Sequence, residues 1–89
     1  MNKRKKLKRL LIELSVELGD KTLREILEKV LYQLGKENME IPENPVNLDF
    51  SKFSEEDLEN FALLLAEELE VLNELGYKER VLEEWGSAS

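Results

Sequence analysis

The stretch Leu58–Leu75, LENFALLLAEELEVLNEL, is the most apolar and most regularly periodic segment of the chain. At about 100° per residue, its apolar residues fall within an arc of about 180° of one predicted helix, which is wider than one neighbouring helix covers. In angular order, they are Ala62, Leu69, Leu58, Leu65, Leu72, Phe61, Leu75, Leu64 and Val71. We therefore expect a central helix with two or three other helices packed around it.

Two residues of this segment break the pattern. Glu68 lies inside the apolar arc, between Phe61 and Leu75, and Leu63 lies on the opposite side of the helix. Because burying an unpaired carboxylate costs several kcal/mol, we expect Glu68 to open onto a groove or to bond to Lys21, Arg24, a tyrosine or a backbone donor. A general acid is the functional alternative, but catalysis needs further groups, and the sequence supplies no evident base, nucleophile or metal set. We predict a protein that is not an enzyme.

Composition indicates a small helical protein. The chain has 89 residues and neither cysteine nor histidine, which removes disulfides, thiol nucleophiles and the commonest zinc ligands. Leu, Glu, Lys, Arg and Ala make up 51 of the 89 residues, as is typical of helical bundles and coiled coils. Adjacent glutamates diverge by about 100° on a helix, so we expect solvated acidic faces and neither metal nor cofactor. No apolar run approaches the ~20 residues that cross a bilayer, so we expect no membrane contact and a soluble protein. Its localisation stays open: it would be cytoplasmic if the protein is natural or is expressed recombinantly.

The remaining segments predict three further helices in a single domain. Helix 1 is expected over about 3–18 and helix 2 over about 23–34, where Thr22 and Glu25 form a potential capping box. Helix 3 should span about 55–75, starting with a similar Ser54/Asp57 box, and a short helix 4 about 77–85. Each of the first three helices stops at a Leu-Gly pair. The fold class is therefore all-α: three longer helices and a short C-terminal one.

The connection 36–53 and the ends of the chain are less regular. Residues 36–53 contain two prolines, which bar a continuous helix, and Val46, Leu48 and Phe50 alternate with polar residues. This period of two predicts an extended crossover anchored on the bundle by its apolar side. Residues 86–89 are expected to form a flexible tail.

Six basic residues, Lys3, Arg4, Lys5, Lys6, Lys8 and Arg9, occupy the first nine positions of a chain whose net charge is −7. Cations are unfavourable at a helix N-terminus, where the dipole is already positive. The helix start therefore frays, pairs with the acidic body, or binds a polyanion. Aromatic residues that stack on bases are not interleaved with these cations, so we hold a nucleic-acid-associated regulator as the alternative function.

Taken together, these features resemble computationally designed helical mini-proteins. The resemblance rests on the two potential capping boxes, the Leu-Gly stops, the Leu/Glu/Lys filling of the helices and the absence of Cys and His. It implies an idealised bundle that serves as a binder or scaffold. The irregular connection and the cationic first turn depart from it.

Apolar residues left outside the predicted core favour a protein-interaction module as the function. Ile12 and Val16 lie one turn apart and about 150° from the main leucine stripe of helix 1. Such leftover apolar groups mark interfaces when they cluster. We expect a protein partner or a second copy of the chain to contact Ile12, Val16, Tyr32, Leu63, Glu68 and Trp85.

Overall fold

Four helices and one short 3-10 turn make up the fold in the computed structural model, which describes residues 3–71 and 76–86 without the Tyr77 side chain. The helices are α1 (Lys3–Leu18), α2 (Asp20–Gln33), α3 (Glu55–Val71) and α4 (Tyr77–Gly86), and the 3-10 turn is Pro45–Asn47. The predicted all-α class with four helices is confirmed. The expected end of helix 3, at 72–75, and positions 87–89 of the expected tail lie outside the described residues. Gly86 closes α4 and is not part of a tail.

The junction between α1 and α2 is a single residue, Gly19, and here the sequence prediction was wrong. The Gly19 N–H donates to the Ser15 carbonyl at 2.9 Å, and its own carbonyl accepts from Leu23 N–H at 3.1 Å, so one residue ends α1 and begins α2. Its φ of 88° and ψ of 153° belong to a region that is open essentially to glycine alone. Since α2 starts at Asp20, Thr22 already lies inside the first turn and does not cap it.

The end of α2 follows the expected glycine stop. Gly35 has a φ of 80° and its N–H donates to the Tyr32 carbonyl at 3.1 Å, while Lys36 N–H donates to the Leu31 carbonyl at 2.8 Å. This is the Schellman arrangement, which satisfies carbonyls that the helix leaves free. It turns the chain into the long connection.

The connection between α2 and α3 is anchored, as its alternation predicted. Leu48 and Phe50 are buried and the intervening Asp49 is exposed, although part of the segment is the 3-10 turn rather than extended chain. Phe50, Phe53 and Phe61 of α3 then meet edge to face, with ring centroids 5.2–5.9 Å apart, an arrangement that aromatic quadrupoles favour. These rings fix the entry of the chain into α3.

Helix α3 starts with the predicted capping box. Ser54 Oγ accepts from Asp57 N–H at 3.0 Å, and an Asp57 carboxylate oxygen accepts from Ser54 N–H at 3.1 Å. Two backbone donors are thereby satisfied reciprocally. The Ser54 N–H and the nearby Lys36 ammonium lower the pKa of Asp57, since both favour the carboxylate.

The buried face of α3 differs from the predicted arc at both edges. Ala66 is buried, although the arc did not include it, and Val71 is 81% exposed, although the arc did. The cause is the position of α4, whose Lys78 and Trp85 bond to Glu70 and Glu59 of α3. At about 100° per residue these two glutamates lie within about 40° of Ala66 and about 100° or more from Val71, so α4 covers the side of the two small alanines and leaves the side of Val71 open.

The core combines residues from every element. Nineteen apolar side chains of the described residues are buried and form one cluster. The α1 contribution is Leu7, Leu10, Leu11 and Leu14; α2 adds Leu23, Ile26, Leu27, Val30 and Leu31; and the connection adds Leu48, Phe50 and Phe53. Helix α3 gives Leu58, Phe61, Ala62, Leu65, Ala66 and Leu69, and α4 gives Val81. Ile12 and Val16 have no place in it.

Candidate protein-interaction surface

Lys3, Arg4 and Lys6 of the basic N-terminus bond to the body of the protein. Lys3 Nζ lies 3.0 Å from a carboxylate oxygen of Glu55 and 2.7 Å from one of Glu59. Arg4 donates from Nε to the Phe50 carbonyl at 3.1 Å and from a terminal nitrogen to the Phe53 carbonyl at 2.5 Å. The start of α1 is therefore held by the region that leads into α3, which is the second of the three outcomes expected from the sequence.

Lys6 and Trp85 extend this set of contacts to α4. Lys6 Nζ donates to the Trp85 carbonyl at 3.1 Å, and the Trp85 indole N–H donates to Glu59 at 2.9 Å. Hydrogen bonds from Lys3 and then from Trp85 lower the pKa of Glu59, and the same carboxylate raises the pKa of Lys3. Trp85 is half-buried against the core, so its ring and its N–H both serve the fold.

The remaining three cations share the outer face of α1 with the two leftover apolar residues. At about 100° per residue, they fall in one arc of about 100° on the side of α1 away from its leucine stripe. This outer face of α1 consists of Lys5, Lys8, Arg9, Ile12 and Val16, all of them exposed. Ile12 is 46% and Val16 82% exposed. The structure thus brings two predicted partner-binding residues together with three of the predicted polyanion-binding residues.

The two acidic residues of α1 point toward α4 instead of joining that face. Glu17 accepts from Arg80 at 2.6 and 2.8 Å, and Glu13 is hydrogen-bonded to Glu84. Partial burial and the Glu13 charge raise the pKa of Glu84, against the opposite effect of Arg80 and Arg9. With both carboxylates on the α4 side, the outer face of α1 contains three cations and no carboxylate of its own.

A second exposed face lies on α3. Leu63 is 49% exposed, as its position opposite the arc predicted, and Val71 joins it as a residue that sequence reasoning placed in the core. The outer face of α3 consists of Glu56, Asn60, Leu63, Glu67, Glu70 and Val71, all exposed. It carries glutamates and no basic residue, because α3 contains neither lysine nor arginine.

Glu68 lies at the edge of the buried face of α3 and not within it. It is half-buried and accepts a hydrogen bond from Gln33 Nε2 of α2 at 2.6 Å. The sequence predicted that Glu68 would open onto a groove or bond to a donor, and it does bond to a donor. That donor, Gln33, was not among the expected partners. Since Glu68 joins α2 to α3, its contact belongs to the fold.

Tyr32 stands apart from the other predicted contact residues. Its ring is 70% exposed on α2, beside an open groove of about 380 Å³ between α2 and the connection. The groove is lined by Arg24, Glu28, Leu31, Tyr32, Glu37, Met39 and Ile41. Charges of both signs and a few apolar side chains surround it, so its chemistry does not select one class of ligand.

Comparisons with known proteins do not assign the chain to a family: no protein-family model, curated protein or solved structure matches it. Among residues 3–71 and 76–86, no three acidic side chains converge in an arrangement that could hold a metal ion. Within the same part of the chain, no helix combines the length and the apolar character needed to cross a membrane. The outer faces of α1 and α3 are the candidate interaction surfaces.

Proposed function

We propose that the chain is a non-enzymatic protein-interaction module whose contact surface is the outer face of α1. The observation that carries the proposal is the exposure of Ile12 and Val16 one turn apart, while four leucines of the same helix are at most 3% exposed. Ile12 and Val16 lie outside the buried core, and an apolar centre surrounded by a polar rim is typical of protein interfaces. A designed binder or scaffold, which the sequence resembles, would present such a face.

The charge of the surface favours an acidic partner. Lys5, Lys8 and Arg9 are exposed on the same face of α1 as Ile12 and Val16. Electrostatic complementarity speeds association and excludes partners of like charge. An amphipathic acidic helix meets both requirements, because its apolar stripe covers Ile12 and Val16 and its carboxylates face the three cations.

Selection from a displayed library of acidic amphipathic peptides tests the proposal. Peptides selected on the wild type should bind the Ile12→Glu/Val16→Glu variant at least ~10-fold more weakly, since apolar contact at the centre is replaced by charge. They should bind Tyr32→Glu normally, which introduces the same charge at an exposed position on α2. Equal binding to all three proteins would contradict the proposal. Loss of helicity in the double variant would show that Ile12 and Val16 support the fold.

A nucleic-acid-associated regulator is the second candidate, and the same three exposed cations favour it. With three phosphate contacts in place of six, the slope of log affinity against log salt should not exceed about 2.7 on duplex DNA. The variant Lys5→Gln/Lys8→Gln/Arg9→Gln should then lose the binding, and Lys29→Gln on α2 should retain it. An affinity for DNA that the triple variant leaves unchanged would rule out this function.

A further inference from the structure

We infer that the acidic partner of α1 is a second copy of this chain, which binds through the outer face of its α3. The inference rests on the proposed function and names the partner of the same surface. Both faces are exposed, and each carries two well-exposed apolar residues: Ile12 and Val16 on α1, Leu63 and Val71 on α3. Their charges are opposite.

Charge complementarity between the two faces is the main evidence. The outer face of α1 has three cations and no carboxylate, because Glu13 and Glu17 point toward α4. The outer face of α3 has Glu56, Glu67 and Glu70 and no cation of its own. Lys78 of α4 bonds to Glu70 at 2.8 Å and its charge also acts on Glu67. Three carboxylates against this one cation leave the outer face of α3 with a net negative charge. The outer face of α3 thus has the acidic and apolar character expected of the partner of α1.

The spacing along the two helices matches when they run antiparallel. In one such alignment Ile12 lies opposite Leu63. Lys8, four residues before Ile12, then lies opposite Glu67, four residues after Leu63, because both steps advance by about 6 Å along the axis. Val16 lies one turn further on, beside the exposed Asn60. Ile12 and Leu63 therefore lie in the middle of the contact, and the ion pair between Lys8 and Glu67 lies at one end of it.

The contact is heterologous, since two different faces of the molecule meet. Each copy has one face of each kind, so successive copies form an open head-to-tail chain unless they close into a ring. A single pair of helices buries less than the ~1,200 Å² below which interfaces are weak and transient. Association should therefore be reversible, visible only at high protein concentration and reduced by salt, because the paired charges are exposed.

Sedimentation equilibrium with two charge reversals tests the pairing. The apparent mass of the wild type should rise above 10.4 kDa between about 0.05 and 1 mM protein at low salt. Lys8→Glu and Glu67→Lys should each weaken association by about 3- to 10-fold, because an attractive exposed pair becomes repulsive. An equimolar mixture of the two variants should recover much of the association that each variant alone has lost, since a contact between unlike variants again joins opposite charges. Lys29→Glu and Glu83→Lys are matched controls on exposed helical positions and should behave as wild type.

The outcomes separate this inference from the proposed function. A wild type that stays at 10.4 kDa at both concentrations would overturn the second-copy inference, and so would variants that associate normally or a mixture that fails to recover. The proposed function would survive these results if the selected peptides still discriminate against Ile12→Glu/Val16→Glu. It fails if those peptides bind that variant as they bind the wild type, whatever the mass measurement gives.

Discussion

Replacement of Arg4 by methionine tests the division of the basic N-terminus into residues that hold the fold and residues that face outward. Arg4 donates to the carbonyls of Phe50 and Phe53 at 3.1 and 2.5 Å, and methionine keeps the aliphatic stem but neither donor. Hydrogen bonds from a charged donor contribute about 1.5–3 kcal/mol when well shielded. Because Arg4 is exposed, we take about 1 kcal/mol for each bond. The loss of helix-dipole repulsion offsets a few tenths of a kcal/mol.

Arg4→Met should therefore lower the free energy of unfolding by about 1.5–2 kcal/mol, which corresponds to a fall in Tm of roughly 6–16 °C for a domain of this size. Urea denaturation followed by circular dichroism measures the first quantity and a thermal scan the second. Lys8→Met makes the same chemical change on the outer face of α1 and should stay within about 0.5 kcal/mol of wild type. Equal stabilities of the two variants would refute the division.

Two further changes test local features of the fold. Ser54→Ala should cost about 1 kcal/mol of stability in urea, and Thr22→Ala much less, because only the first residue caps a helix; equal losses would argue against the observed start of α2. Glu84→Gln should stabilise the protein by about 0.5 kcal/mol at pH 7 and leave it unchanged near pH 3.5. The raised pKa of Glu84 means that the folded state favours its protonated form, so the contribution of Glu84 to stability is fully present below its unfolded pKa and is lost as pH rises through its folded pKa. A larger gain in acid than at pH 7 would contradict a repulsion between Glu84 and Glu13.

The parts of the fold that were predictable depend on contacts close in sequence. The helices follow from apolar period and glycine stops, and the Ser54/Asp57 box involves neighbours three residues apart. The same pattern at Thr22 and Glu25 predicted a helix start that the structure does not show. Gly19 ends α1 and begins α2 without a side-chain cap. Local capping chemistry permits both starting points, and the packing of α2 on the rest of the core decides between them.

The errors on α3 have a different origin. Hydropathy predicts that Val71 is buried and does not single out Ala66. Which edge of the apolar face of α3 becomes buried depends on where α4 packs. That contact joins Trp85 to Glu59 and Lys78 to Glu70, and periodicity within α3 carries no information about it. The sequence therefore identified exposed apolar residues only where they lie far from the buried face of their helix, as Ile12, Val16 and Leu63 do.

The candidate site shows the same limit. The sequence identified Ile12 and Val16 as lying off the main stripe, and it identified the six N-terminal cations as a group. It could not divide that group, because the partners of Lys3, Arg4 and Lys6 lie 46 to 79 residues away. Of the six cations, Lys5, Lys8 and Arg9 are the ones that share the outer face of α1 with Ile12 and Val16.

The contact between the outer faces of α1 and α3 is tested most directly by backbone amide chemical shifts in a dilution series at low salt. Upon dilution from about 1 mM to about 0.02 mM, the shift changes should be confined to two groups of residues, around Lys8, Ile12 and Val16 and around Leu63 and Glu67, with a common concentration dependence. Unchanged shifts over the whole range, or changes centred on Tyr32 and the groove beside it, would show that these two faces do not meet.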